Sequence, residues 1–110
     1  MNSLSGKFDV KIKGKKYVCH LSMNAFRILC EREEIRFNEM QDFLQEKPLT
    51  AVPKVIYYGI QNDLILNKKS LDGLPDFEYF AANILEDQDS LEMYTEKIGL
   101  AFGGEDPGNK

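Results

Sequence analysis

Phe8, Val10 and Ile12 alternate with Asp9, Lys11 and Lys13, and Tyr17, Cys19 and Leu21 alternate with Val18 and His20. Alternation with a period of two marks strands that bury one face. The two runs are joined by Lys13-Gly14-Lys15-Lys16. With Gly14 and Lys15 as the loop, glycine takes the first central position of a type II′ turn. That register pairs Ile12 with Tyr17, Val10 with Cys19 and Phe8 with Leu21, and puts all six side chains on one face. A slip of one residue would divide them between faces. A lone hairpin is marginal in water, so helices must cover the apolar side.

From Ser22 onward the period changes. Ser22 is placed to cap a first helix, whose buried stripe is Met23, Phe26, Leu29 and Cys30, flanked by Ala25 and Ile28. Arg27 and Glu31 lie one turn apart and should pair weakly. Glu31-Arg32-Glu33-Glu34 should fray into solvent. Asn38 then caps a short helix carrying Met40, Phe43 and Leu44, which stops before Pro48. Thr50 can cap a third helix, with Pro53 in its first turn. Its inward residues are Val52, Val55, Ile56 and Ile60, with Tyr57 and Tyr58 beside them. Gly59 costs this helix about 1 kcal/mol relative to alanine, which implies close approach of another backbone.

Asn62 to Gly73 reads as a loop holding an apolar island, Leu64-Ile65-Leu66. Pro75 opens a fourth helix with Phe77, Phe80, Ala81 and Ile84 facing inward. Asp89 and Glu92 have the spacing of a capping box for a last helix with the stripe Leu91, Tyr94, Ile98, Ala101 and Phe102, stopped by Gly103-Gly104. The expected fold class is α+β, mainly α: an N-terminal β-hairpin packed on four to five short helices. The expected organisation is a flexible N-terminus over 1–6, one domain over 7–103, and a disordered acidic tail over 104–110.

Composition supports a single core. The chain has 110 residues, of which 43% are hydrophobic and 11% aromatic. No apolar run approaches the roughly 20 residues of a membrane span. The first residues lack the charged start and apolar stretch of a signal peptide, so the expected location is cytosolic, with both cysteines reduced. The net charge of −4 is unevenly spread. Lys7, Lys11, Lys13, Lys15 and Lys16 face only Asp9 in the first 20 residues, while ten acids face two lysines after residue 69. Solubility accounts for this, and weak head-to-tail self-association would use it.

No catalytic constellation is present in this pattern. Cys19, His20 and Cys30 are the only soft metal ligands, fewer than a closed zinc site needs, and Cys19 and His20 point to opposite faces of a strand. The acidic run Glu86 to Glu92 would put Leu91 at a ligand position of a calcium loop and Glu92 where glycine is required. The expectation is therefore no catalytic residue, no cofactor and no metal. The lysine-rich hairpin is narrow for phosphate binding, and lysines also guard a sheet edge against aggregation, which argues against a nucleic-acid partner.

Several segments form one recognisable series. The hairpin with its Gly14-Lys15 turn and Tyr17 leads into Ala25-Phe26-Arg27-Ile28-Leu29-Cys30-Glu31, then Ile35, Phe43-Leu44 and Tyr57-Tyr58-Gly59-Ile60, and last an acidic stretch reaching Leu91-Glu92-Met93. This series, over residues 7–102, resembles the tail assembly chaperones of long-tailed bacteriophages and prophages. It departs from their pattern at Cys30, where leucine is more usual, and at Pro53. The resemblance implies a non-enzymatic protein in the cytoplasm of the bacterial host. Its partner would be the tape measure protein, held soluble while the tail tube assembles, with the tail tube protein open as a second partner; the weak homo-oligomer is suggested by the charge distribution alone. The alternatives are a structural head–tail or tail component and, further off, a small regulatory nucleic-acid-binding module. Candidate partner-binding residues are Phe26, Tyr57, Tyr58, Leu64, Ile65 and Leu66.

Overall fold

The computed structural model describes residues 6–102. The fold is α+β and mainly α: strands β1 (Lys7–Ile12) and β2 (Lys15–His20) form an antiparallel hairpin. Five helices follow: α1 (Met23–Glu33), α2 (Met40–Glu46), α3 (Pro48–Leu66), α4 (Phe77–Glu86) and α5 (Gln88–Phe102). Short 3-10 turns at Phe37–Glu39 and Leu71–Gly73 link them. The expected flexible start and acidic tail lie outside the described residues, apart from Gly6.

The hairpin register differs from the expected one. The loop is Lys13-Gly14, with φ of 51° and 83°, and two positive φ values define a type I′ turn, whose twist suits a tight hairpin. Phe8 therefore pairs with Cys19 and Val10 with Tyr17, not Val10 with Cys19. Each partner moves by two residues, so side-chain parity survives and the same apolar set stays on one face. The ladder also extends outward, since the Leu21 amide donates to the Gly6 carbonyl at 2.9 Å.

α3 is the hub, touching β2 and every other helix. It is buried almost all round, from Ala51 to Asn62, as expected of a helix with apolar residues on every side. Gly59 is the point of closest approach. A Cβ there would sit 2.4 Å from Cys19 Sγ and 2.8 Å from Leu21 Cδ2, so the missing side chain is what lets β2 lie on α3. The approach is made by side chains more than by backbone, the His20 amide nitrogen standing 3.6 Å away.

Several element boundaries differ from the sequence reading. α3 begins at Pro48, where a fixed φ is pre-organised for a first helical position, and Thr50 lies inside it. Pro53 falls beyond the first turn. The helix runs through Asn62 to Leu66, so the start of the expected loop is its last turn, and only residues 67–73 of that loop lie between α3 and α4. The helix stops where the Asn67 amide and side chain both donate to the Asp63 carbonyl, at 3.1 and 2.8 Å. Asn38 lies within a 3-10 turn rather than capping α2. Asp76 caps α4, accepting from the Tyr79 amide at 3.0 Å. α5 is capped by Asp87, which accepts from the Ser90 amide at 3.2 Å, and not by Asp89.

α1 is rotated relative to the expected stripe. Ala25, Phe26, Ile28 and Leu29 are its buried residues, and Met23 points outward. Glu33 does not fray. It accepts from the Tyr58 hydroxyl at 2.6 Å and from Lys54 Nζ at 2.8 Å, tying α1 to α3. Burial, and then the bond to Glu33, push the Tyr58 phenol above its ordinary range.

The Ser22 hydroxyl is at the expected N-cap position but makes no cap bond. It accepts instead from Asn62 Nδ2 at 3.0 Å, while the same nitrogen donates to the His20 carbonyl at 2.9 Å. Asn24 Nδ2 donates to Asn62 Oδ1 at 2.8 Å. One fully buried amide thus joins β2, α1 and α3.

Candidate apolar groove

One face of α1 from Met23 to Glu31, the turn at Phe37–Glu39 and the end of α5 border two adjoining clefts. The first, about 380 Å³, is lined by Met23, Phe26, Cys30, Ile35 and Phe37, with Arg27 and Glu31 on its rim. The second, about 580 Å³, is lined by Phe37, Met40, Gly99 and Phe102 among others. Phe37 belongs to both. At the junction Phe26 of the first cleft stacks on Phe102 of the second, centroids 4.7 Å apart and planes 9° from parallel. Together they make one groove, mainly apolar, with Asn38 and Gln41 on the side of the second cleft.

Local structure explains why apolar side chains stand in the open here. Glu34 takes a left-handed conformation, φ 57°, and ends α1. The chain then turns back, with the Ile35 amide donating to the Cys30 carbonyl at 3.1 Å. Glu39 Oε1 accepts from the Arg36 amide at 2.8 Å and the Glu39 amide donates to the Arg36 carbonyl at 2.8 Å. This reciprocal clasp holds the short turn and lifts Phe37 off the core, 57% exposed, opposite Met23 at 66%. No neighbour lies within 4 Å of a Cβ placed on Gly99, so the floor beside Phe102 is open. The Arg27–Glu31 pair, 3.1 Å apart, is solvent-exposed and contributes little. The groove offers mainly apolar side chains, with Cys30 in its wall and Arg27 and Glu31 on its rim. Among the described residues no group of three or more His, Cys, Asp or Glu could hold a metal ion.

The six residues singled out from sequence do not share a surface. Phe26 is buried at the groove floor. Tyr58 is buried and bonded to Glu33. Tyr57 packs on Phe77 and Phe80, and its hydroxyl donates to the Pro75 carbonyl at 2.7 Å. Both tyrosines brace α3, Tyr58 buried and Tyr57 partly so. Leu64 is partly buried beside β2, and only Ile65 and Leu66 stand out, at 42% and 54%. Compared with family models, curated proteins and solved structures, the chain matches none. The groove rests on its own geometry.

Sequence reasoning missed Met23 and Phe37 as surface residues. Phe37 carried a signal: an aromatic residue between Arg36 and Asn38, outside any helical stripe. Met23 carried none, since its spacing fits the buried stripe equally well.

The two thiols report on this arrangement. Cys19 is fully buried under α3, its Sγ 3.6 Å from the Ile56 carbonyl oxygen, and Cys30 lines the groove. Burial raises both thiols, Cys19 strongly, with Asp63 adding to Cys19 and Glu39 to Cys30. A thiol-reactive dye should therefore modify Cys30 slowly in the native protein and reach Cys19 only in denaturant. Peptide mapping showing fast native labelling of Cys19 would contradict the packing of β2 on α3.

Proposed function

We propose that this chain is a non-enzymatic tail assembly chaperone of a long-tailed phage or prophage, working in the host cytoplasm. It keeps the tape measure protein soluble by taking its apolar helical stretches. The observation that carries the reading is the groove: two adjoining, mainly apolar clefts that share the exposed Phe37, with Met23 exposed beside the first and the Phe26–Phe102 stack joining them. An amphipathic helix laid in such a groove presents anchors at i, i+3 and i+7. The hairpin, the Ala25–Glu31 segment and Tyr57–Ile60 supply the resemblance that names the client. Among the described residues no helix is long and apolar enough to cross a membrane.

Co-expression with the tape measure protein of the same genome tests this. The chain should raise the soluble fraction of that protein, and Met23→Glu with Phe37→Glu should abolish the gain while circular dichroism stays unchanged. Burying one large apolar side chain contributes roughly 1.5–3 kcal/mol, or about 10- to 150-fold in Kd. Neutralising Lys15 and Lys16 should matter less, because an exposed ion pair contributes about 0–1 kcal/mol. If the tape measure protein precipitates equally with and without this chain, the chaperone reading fails and a structural tail component takes its place.

A further inference from the structure

The hairpin has a second edge, and its backbone is open. In an antiparallel pair, residues alternate between those bonded across the ladder and those whose N–H and C=O point outward. Gly6 and Leu21 are bonded across, so Phe8–Cys19 and Val10–Tyr17 are as well, and Lys11, Lys16, Val18 and His20 point outward. Two contacts agree with this. The Lys11 amide donates out of β1 to the Tyr94 hydroxyl at 3.3 Å, and the His20 carbonyl accepts from Asn62 outside the sheet. Helix α5 thus reaches the β1 edge, and Asn62 occupies the His20 end of the β2 edge. Between Lys16 and Val18, no backbone bond from β2 to another element occurs among the described residues.

A trough of about 240 Å³ runs along this open stretch, between β2 and the C-terminal turns of α3. Ile60 and Leu64 give it apolar surface, and Lys15, Lys16 and Lys69 surround it, against one acid, Asp63. Lys15 leans across the Tyr17 ring, Nζ 5.3 Å from its centroid, and both residues line the trough. Lys16 reaches Asp9 only at 3.8 Å, with both side chains mostly in solvent.

We propose that the β2 edge from Lys16 to Val18 is a docking site for an extended acidic segment of a partner protein, which adds to the hairpin as a third strand. Strand addition uses outward backbone groups for affinity and alternate side chains for choice. Here the added strand would place apolar residues toward Ile60 and Leu64 and carboxylates toward the lysines. A second copy fits poorly, because pairing β2 with β2 brings lysine-rich edges together, and like charges facing across strands are unfavourable. The chain's own residues 103–110 offer Pro107 alone as an apolar side chain, and proline cannot donate to a ladder. The site shares no lining residue with the groove of the proposed function, and it stands or falls separately.

The test is an NMR titration of the full chain with acetyl-Val-Glu-Val-Glu-Val-Glu-amide, and with the same peptide bearing lysine in place of glutamate. The acidic peptide should shift the Lys16 and Val18 amides saturably and slow their hydrogen exchange by about ten-fold or more. The lysine peptide should not. Val18→Pro removes an outward N–H without touching the ladder, a change that edge strands tolerate, and should abolish the effect while the other hairpin amides keep their positions. Lys16→Glu with Lys69→Glu should transfer preference to the lysine peptide. The proposal is overturned if those amides do not respond, if both peptides bind alike, or if Val18→Pro binds as the parent does. It is also overturned if deleting residues 103–110 by itself alters the same amides, since the chain's own end would then occupy the edge.

Discussion

Gly59→Val should destabilise the protein by about 3 kcal/mol or more, the upper end of overpacking costs. Valine would place a branched Cβ where Cys19 Sγ already lies at 2.4 Å and Leu21 Cδ2 at 2.8 Å. Gly59→Ala meets two opposed effects. Alanine favours the helix by about 1 kcal/mol, and its methyl must displace the same two side chains. The clash should win, because Cys19 is fully buried and cannot swing away. A double-mutant cycle separates the terms. In a Cys19→Ala background the sulfur is gone and only the flexible end of Leu21 must move, so Gly59→Ala should become close to neutral. Urea midpoints for the four proteins give the result. Equal costs of Gly59→Ala in both backgrounds would mean that β2 is not seated on α3 in this way.

Asn62→Leu should cost about 2–4 kcal/mol although leucine is the better helix former. Asn62 is fully buried, and its amide serves the His20 carbonyl, the Ser22 hydroxyl and Asn24 at once. Leaving a buried polar group without a partner costs about 1–3 kcal/mol each, and leucine orphans at least two. Ser22→Ala should then cost less in the Asn62→Leu background than alone, because the hydroxyl it removes has already lost its donor. Additive costs would show that Asn62 acts through packing and not through these bonds. The variant should also loosen the β2–α1 junction, read as faster amide exchange at Leu21 and Ser22.

The β2 edge and the apolar groove ask different things of a partner. As proposed, one would take an extended backbone guided by charge, which chiefly sets orientation and on-rate. The other would take a helix face, driven by desolvation. A client that engaged both through a linker of suitable length would gain avidity without new contacts, so variants at either site should weaken its capture without removing it.

Much of the local structure follows from the residues alone, for physical reasons. Period-two alternation from Phe8 to Cys19 dictates a hairpin with one apolar face whatever its exact turn, because register shifts of two preserve parity. The apolar run of α3 likewise dictates a buried helix, although its start at Pro48 and the Asp76 cap of α4 emerge only from the structure. What the sequence could not decide were competitions between partners distant in the chain. Lys13 accepts positive φ where Gly14-Lys15 seemed the natural loop. Asn62 resembles a helix breaker until β2 and α1 satisfy its amide. Tyr57 and Tyr58 stand beside the inward stripe in sequence, and only the structure shows their hydroxyls bonded to the Pro75 carbonyl and to Glu33. Met23 and Phe37 become a groove only because α5 returns to set Phe102 against Phe26. Spacing records which residues can share a face; only the assembled core determines which face is left to water.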